Sequence, residues 1–107
     1  GKSLYALTNT SATANTTAVD FGASSSLGGQ AFLHCTAHSS ANISVKIQSS
    51  ADNSSFADVS GFSFTAITGT TSERIATTNT VNRYVRIVIT VTSGSATFSV
   101  GYAHNLK

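Results

Sequence analysis

The sequence predicts an all-β domain, an antiparallel β-sandwich of the jelly-roll type with about eight or nine short strands and no helix. The strand-favouring residues Thr, Val, Ile, Phe and Tyr are common, whereas the helix formers Glu, Lys, Met and Leu are scarce. Apolar and polar residues alternate in many short segments, as they do in half-buried strands. Turn-forming residues separate these segments at intervals of about ten residues, which is typical of sandwiches.

The length of the chain favours one domain. Domains most often contain about 100–150 residues, and the chain has 107. We find no convincing internal repeat. We therefore expect residues 1–107 to form a single sandwich with its own hydrophobic core.

The N-terminal part of the chain contains two short predicted strands separated by polar segments. Residues 3–7 alternate weakly as a first strand, and the polar residues 8–17 predict a loop or an exposed edge. Residues 18–22 predict a second strand that ends at a glycine. The serines and glycines of residues 23–29 predict a flexible connector.

The next two predicted strands show clearer alternation. Residues 30–37 place four residues on one face: Ala31, Leu33, Cys35 and Ala37. Residues 39–42 predict a turn, and residues 43–48 then place three apolar residues inward: Ile43, Val45 and Ile47. The Asp and Asn of residues 51–55 predict a second turn, and residues 56–59 follow as the partner strand of a hairpin.

Residues 80–92 form the longest β-branched segment and predict the central strand. Its apolar face is regular: Val85, Ile87, Ile89 and Val91. Residues 62–66 and 72–77 predict two shorter strands before it. Residues 93–95 predict a tight hairpin connection to the last strand, 96–103, whose apolar face carries Phe98, Val100 and Tyr102.

Charge and cysteine content limit the classes of partner. The formal net charge of +2 is too small and too scattered for a nucleic-acid surface, because duplex binding uses several clustered phosphate contacts. No apolar run approaches the roughly 18 residues that span a bilayer, so we expect neither a direct nucleic-acid partner nor a membrane partner.

The single cysteine, Cys35, cannot form an internal disulfide, which fits synthesis in a reducing cytoplasm. Since Cys35 alternates with Leu33 and Ala37, we interpret it as a buried apolar residue.

The histidines do not predict a metal site. His34 and His38 are four residues apart, which on a strand is about 13 Å, too far for one ion with bonds near 2 Å. His104 can join one of them only if the last strand lies alongside. We expect no metal ligands and no cofactor.

The acidic residues offer one enzymatic alternative. Asp52 and Asp58 flank the predicted hairpin and form a candidate carboxylate pair for glycoside hydrolysis. Asp52, however, is explained as a turn residue, and no nucleophile or phosphate-binding motif occurs elsewhere. We expect no catalytic residues and no enzymatic activity.

Arg83 and Arg86 beside Tyr84 form a candidate patch for a ligand or partner. The favoured interpretation is that both arginines lie on the outer face and pair with Asp58 or Glu73. The tyrosines at 5, 84 and 102 alternate with apolar residues, so core or sheet packing is favoured over a sugar-stacking platform.

The order of the hairpin and central strand resembles a small β-sandwich domain of tailed-bacteriophage virion proteins. The similar segments are 45–59 (VKIQSSADNSSFADV), 62–66 (FSFTA) and 80–86 (TVNRYVR). The opening of the chain is also similar, over residues 1–7 (GKSLYAL), 13–15 (TAN) and 19–22 (VDFG). The same hairpin and strand resemble discoidin-type carbohydrate-binding sandwiches, which usually carry a tryptophan where this chain has Phe56.

The virion resemblance implies a non-enzymatic structural protein, a capsid decoration protein on the capsid exterior. Its partners would be the major capsid protein or other virion proteins and copies of itself in a homo-oligomer. Residues 9–17 and 24–29 are the candidates to become ordered on docking. The alternatives are an outward-facing domain of a tail-tube protein and a carbohydrate-binding adhesion module that uses Phe56, Tyr84 and Arg86, a glycan being the less favoured partner.

Overall fold

The structure is a computed structural model that describes residues 2–105. Every strand pairing in it is antiparallel, and no described residue is helical, which confirms the all-β prediction. No described segment is therefore a helix that could cross a membrane. The strands are β1 (Lys2–Thr10), β2 (Ala14–Asn15), β3 (Val19–Asp20), β4 (Gly29–Ser50), β5 (Ala57–Ser63), β6 (Thr71–Thr77) and β7 (Tyr84–His104).

Two long strands, β4 and β7, form the centre of the sheet. They contain 22 and 21 residues and pair along their lengths, from Gly29 opposite His104 to Ser50 opposite Tyr84. An extended strand of this size would span about 70 Å at about 3.3 Å per residue. The longest dimension of the molecule is only 39 Å. The paired strands must therefore bend together near their middle.

The bend lies where the sequence predicts two chain reversals. The predicted turn at 39–42 and the predicted hairpin connection at 93–95 both lie inside continuous strands, so these two predictions are wrong. Ser40 and Gly94 have positive φ angles of 49° and 66°, and the register shifts between Ser39 and Ile43. Turn-forming residues here bend a paired ribbon, because β4 and β7 remain hydrogen-bonded to each other on both sides of the bend.

The bend divides the sheet into two half-sheets. The first half-sheet contains β1, residues 96–104 of β7, residues 29–38 of β4, and β6. The second half-sheet contains β2 and β3, residues 84–91 of β7, residues 42–50 of β4, and β5. Seven strands replace the predicted eight or nine, because predicted neighbours are joined within β4, β5 and β7 while β2 forms inside the segment predicted as a loop or an exposed edge.

One hydrophobic core is shared by the two half-sheets. Leu33, Cys35 and Phe98 of the first half-sheet belong to the same buried cluster as apolar residues of the second. The Tyr102 ring of the first half-sheet lies 5.8 Å from that of Phe62 in β5. This arrangement is compatible with the predicted sandwich, although the seven strands belong to one continuous sheet.

The predicted inner faces of the second half-sheet are confirmed. Its core positions in β4 and β7 are at most 1% exposed: Ile43, Val45, Ile47, Val85, Ile87 and Ile89. Val91 is partly buried against the same core. In the first half-sheet, Ala37 is exposed rather than inward because the register shifts between Cys35 and Ala37.

Candidate functional site

A row of three directly opposed side chains crosses the outer face of the second half-sheet. Arg86 of β7 lies opposite Gln48 of β4, which lies opposite Asp58 of β5. The Gln48 amide nitrogen donates to Asp58 Oδ1 at 2.8 Å, and its oxygen accepts from Arg86 Nε at 3.0 Å and Nη2 at 2.8 Å. Lys46 Nζ forms an ion pair with Asp58 Oδ2 at 3.1 Å. Asp58 thus fixes the Gln48 amide so that its oxygen faces Arg86.

Phe56 covers one face of the Arg86 guanidinium. The Arg86 Cζ atom lies 4.0 Å from the centre of the Phe56 ring, well within the roughly 6 Å of a cation–π contact. Both residues are half-buried. Among residues 2–105, the only acceptor of an Arg86 hydrogen bond is Gln48, and Nη1 donates to none. Arg86 is therefore a positioned cation with an open edge, and no carboxylate of residues 2–105 forms an ion pair with it.

Arg83, by contrast, is neutralised. Its Nε and Nη2 donate to Asp20 Oδ1 and Oδ2 at 2.7 and 2.8 Å. Its Cζ lies 5.1 Å from the centre of the Tyr84 ring. Hydrogen bonds from Arg83 and from the Gly22 N–H lower the pKa of Asp20 to about 2. This bidentate pair joins β3 to the start of β7.

The predicted pairing of the two arginines with Asp58 or Glu73 is wrong. Asp58 is held by Lys46 and Gln48. Glu73 lies in β6 of the first half-sheet, where its carboxylate accepts from the backbone N–H and the hydroxyl of Thr65 at 2.8 and 3.1 Å. The actual partners belong to strands whose register with β7 cannot be read from local sequence.

Asp52 and Asp58 do not have the properties of an acid–base pair. Asp52 Oδ1 accepts hydrogen bonds from its own turn: the Ser55 N–H at 3.1 Å, the Ser50 hydroxyl at 2.8 Å and the Ser54 N–H at 3.0 Å. These bonds lower the pKa of Asp52, and hydrogen bonds from Gln48 and Lys46 lower that of Asp58. A general acid in glycoside hydrolysis needs a raised pKa. The interpretation of Asp52 as a turn residue is confirmed.

The histidines occupy separate places. His34 Nδ1 and the Ser72 hydroxyl share a hydrogen bond of 2.6 Å, and His38 is exposed near the bend. The last strand does lie beside β4, but His104 is opposite Gly29, far from His34 in the register. Within residues 2–105, no three His, Cys, Asp or Glu side chains form a group able to hold a metal ion.

His104 belongs to a contact between the end of β7 and the connector. Its Nδ1 lies 2.8 Å from the Tyr102 hydroxyl, and its Nε2 lies 3.0 Å from the Ala23 carbonyl oxygen. The Phe21 ring packs against both aromatic residues, at 5.3 Å from Tyr102 and 4.9 Å from His104. Burial lowers the pKa of His104 and raises that of Tyr102. The cluster holds the connector against the core.

The connector at residues 23–29 is attached at several points. Ser25 and Val81 exchange backbone hydrogen bonds of 2.8 and 2.9 Å. The Asn105 N–H donates to the Gly28 carbonyl at 2.9 Å, and its side-chain amide donates to the Leu27 carbonyl at 3.1 Å. A pocket of about 290 Å³ lies between the connector and the end of β7.

The outer face of the first half-sheet has a different character. Phe32 is 46% exposed and lies opposite Gly101, beside a shallow groove of about 330 Å³. Arg74 lies opposite Phe32 on its other side, and its Nη1 donates to Gln30 Oε1 at 3.0 Å. No aromatic ring in residues 2–105 packs against the Arg74 guanidinium in a cation–π contact.

The remaining predicted residues lie as follows. Cys35 is fully buried, which confirms its interpretation as an apolar core residue. Tyr102 is in the core and Tyr5 packs against Phe98 with ring centres 5.2 Å apart, as the core interpretation predicts. Tyr84 is half-buried on the outer face.

Two contacts of Arg86, with Gln48 and with Phe56, were not predicted from the sequence. The pairing of Gln48 with Asp58 follows from the length of the predicted hairpin turn. The contacts of Arg86 with Gln48 and Phe56 depend on the pairing of β7 with β4, and no local pattern signals them.

The comparisons with known proteins add no family to this geometry. No protein-family model matches the sequence, and no curated protein is significantly similar to it.

Proposed function

We propose that this chain is a non-enzymatic structural protein of a bacteriophage particle, a decoration protein that binds the capsid exterior and strengthens contacts between neighbouring capsid subunits. The resemblance of residues 45–59, 62–66 and 80–86, and of the opening of the chain, to virion sandwich domains motivates the choice of a phage particle. The structure supports the non-enzymatic part of the proposal, through the state of the carboxylates.

The observation that carries the proposal is that all four acidic residues are engaged in hydrogen bonds within the domain. Each accepts hydrogen bonds from its own chain: Asp20 from Arg83, Asp52 from its turn, Asp58 from Gln48 and Lys46, and Glu73 from Thr65. Three of the four have lowered pKa values, so they stay ionised at neutral pH. Groups engaged in this way suit a scaffold better than acid–base chemistry.

The surface offers two means of binding to neighbours. Among the strands of residues 2–105, β1 pairs only with β7, so its other edge presents backbone N–H and C=O groups that a further strand can meet. Leu7 in β1 and Phe32 in β4 are 55% and 46% exposed, and apolar groups of this size become favourable contacts when a partner covers them.

The test compares phage particles that carry the protein with particles from which it has been removed. We expect gold-labelled antibody to mark the capsid exterior, and we expect stripped particles to release their DNA at a lower temperature, with the loss reversed when purified protein is added back. Antibody label on the tail instead would indicate that the protein is an outward-facing domain of a tail-tube protein. Equal heat stability of stripped and decorated particles would exclude the strengthening role.

A further inference from the structure

We infer that the open edge of Arg86 is the centre of an interaction surface that takes a carboxylate from an acidic side chain, Asp or Glu, of a partner protein. The surface consists of Arg86, Phe56, Tyr84 and Gln48, and is called the Arg86 surface below. The inference rests on the proposed function only in that the partner would be a neighbouring virion protein.

The first argument is geometric. The side-chain oxygen of Gln48 accepts hydrogen bonds from Arg86 Nε and Nη2. These two bonds occupy the side of the guanidinium that includes Nε, next to the aliphatic part of the side chain. The end formed by Nη1 and Nη2 points away from this bond, and Nη1 has no acceptor in the described part of the chain. Parallel N–H groups at this end match the two oxygens of a carboxylate.

The second argument is electrostatic. The nearest acidic residue in the row, Asp58, is already shared by Lys46 and Gln48, and Arg83 is paired with Asp20. Arg86 therefore has no ion-pair partner among the described residues, and Phe56 removes water from one side of it. Loss of hydration on one face strengthens a charged hydrogen bond made at the edge.

The third argument concerns the class of partner. Arg and aromatic residues together are the residue types that contribute most to protein–protein binding. They stand here on the outer face of a sheet, whereas small ligands are held in concave sites. The rings of Phe56 and Tyr84 are each already packed against an arginine guanidinium. Less of each ring face is therefore left for the sugar stacking of a carbohydrate module. These features favour an acidic protein surface over an acidic glycan.

The experiment measures binding of the purified chain to polyglutamate at low ionic strength, and follows the side-chain Nε–H signal of Arg86 by NMR. We expect polyglutamate to shift this signal and Arg86→Gln to weaken binding by about tenfold, the size expected for a charged hydrogen bond. The matched control is Arg74→Gln, which removes the same charge from an arginine that is also held by a glutamine. We expect that control to change binding by less than about twofold.

Two further variants test the geometry. Arg86→Lys keeps the charge but loses the planar fork, so we expect it to bind more weakly than the wild type. Phe56→Leu keeps an apolar side chain but removes the ring, so we expect a smaller loss. Circular dichroism of each variant checks that it is folded.

Three results would overturn the inference. Equal losses of binding for Arg86→Gln and Arg74→Gln would mean that only the net charge of the protein matters. Binding by Arg86→Lys as strong as that of the wild type would mean that the planar guanidinium is not required. Arg86-dependent binding of polygalacturonate without binding of polyglutamate would make the ligand a saccharide. Because this assay contains no phage particle, its result is separate from the test of the virion location.

Discussion

The two half-sheets share β4, β7 and one core, yet their outer faces differ. Around Phe32 and Gly101, the first half-sheet carries two cations, Lys2 at the groove and Arg74. Arg74 donates to Gln30, and no aromatic ring within residues 2–105 packs against its guanidinium. The second half-sheet carries a connected row from Lys46 to Arg86, with Phe56 stacked on the last member.

The difference shows that the inner-face residues determine the fold, whereas the outer-face residues distinguish the two surfaces. The inner faces of both half-sheets follow the same alternation, and most inward residues of β4 and β7 are almost fully buried in each, the exceptions being Ala37 and Val91. The outer faces are not constrained by that core, so their side chains can vary without loss of the fold. A binding role is therefore to be sought on the outer faces, and the second half-sheet is the one with a positioned charge.

The largest expected effect tests whether the half-sheets share one core. Phe98→Ala in the first half-sheet and Ile47→Ala in the second should each destabilise the whole domain by about 3–5 and 2–5 kcal/mol, because each opens a cavity among buried side chains. Urea unfolding followed by circular dichroism should show one transition for both. Thr90→Ala, at an exposed position, is the control. Two separate transitions would mean that the half-sheets are independent.

The next effect tests the bend that separates the half-sheets. At Gly94 a Cβ atom would meet the carbonyl oxygens of Ser39 and Ser40 at 2.2 and 2.3 Å, and φ is positive. Gly94→Ala should therefore cost about 3 kcal/mol or more of unfolding free energy. The control is Gly22→Ala, which has a positive φ but open space around the new atom, and should cost only about 1–2 kcal/mol. Equal costs would show that the close approach at the bend is unimportant.

A smaller effect compares the two glutamines that hold an arginine. Gln48→Ala removes the acceptor of the half-buried Arg86 and a donor to Asp58, so we expect a loss of about 1 kcal/mol. Gln30→Ala removes only the acceptor of the exposed Arg74, and should cost less than about 0.5 kcal/mol. Thermal unfolding of both variants measures the difference. A larger loss for Gln30→Ala would reverse our ranking of the two faces.

The smallest effect concerns the ion pair at the edge of the second half-sheet. Because the pKa of Asp20 falls from 3.8 to about 2 on folding, its contribution is complete above pH 3.8 and is lost as the pH falls towards 2. Asp20→Asn should reduce this part of the acid dependence, measured as unfolding temperature between pH 5 and about 2. The carboxylates of Asp52 and Asp58 also titrate low, so a slope remains in the variant. An unchanged pH profile would exclude a stabilising role for Asp20.

The sequence by itself determined the class of the fold and most of the inner faces of the two long strands, β4 and β7. Alternation with a period of two is a local property, since consecutive side chains of a strand point to opposite faces. It therefore identified the core residues of 43–48 and 84–91, and turn chemistry identified the hairpin at 51–55. The same local reasoning assigned Cys35 to the core.

Only the tertiary structure decided which strands are neighbours. The turn-forming residues near Ser40 and Gly94 are compatible with a chain reversal or with a bend, and the long pairing of β4 with β7 selected the bend. That pairing also placed Arg86 against Gln48 and Phe56 rather than against Asp58 or Glu73. Strand register is a long-range property set by the whole core, so the partners of an outer-face side chain follow from the assembled sheet.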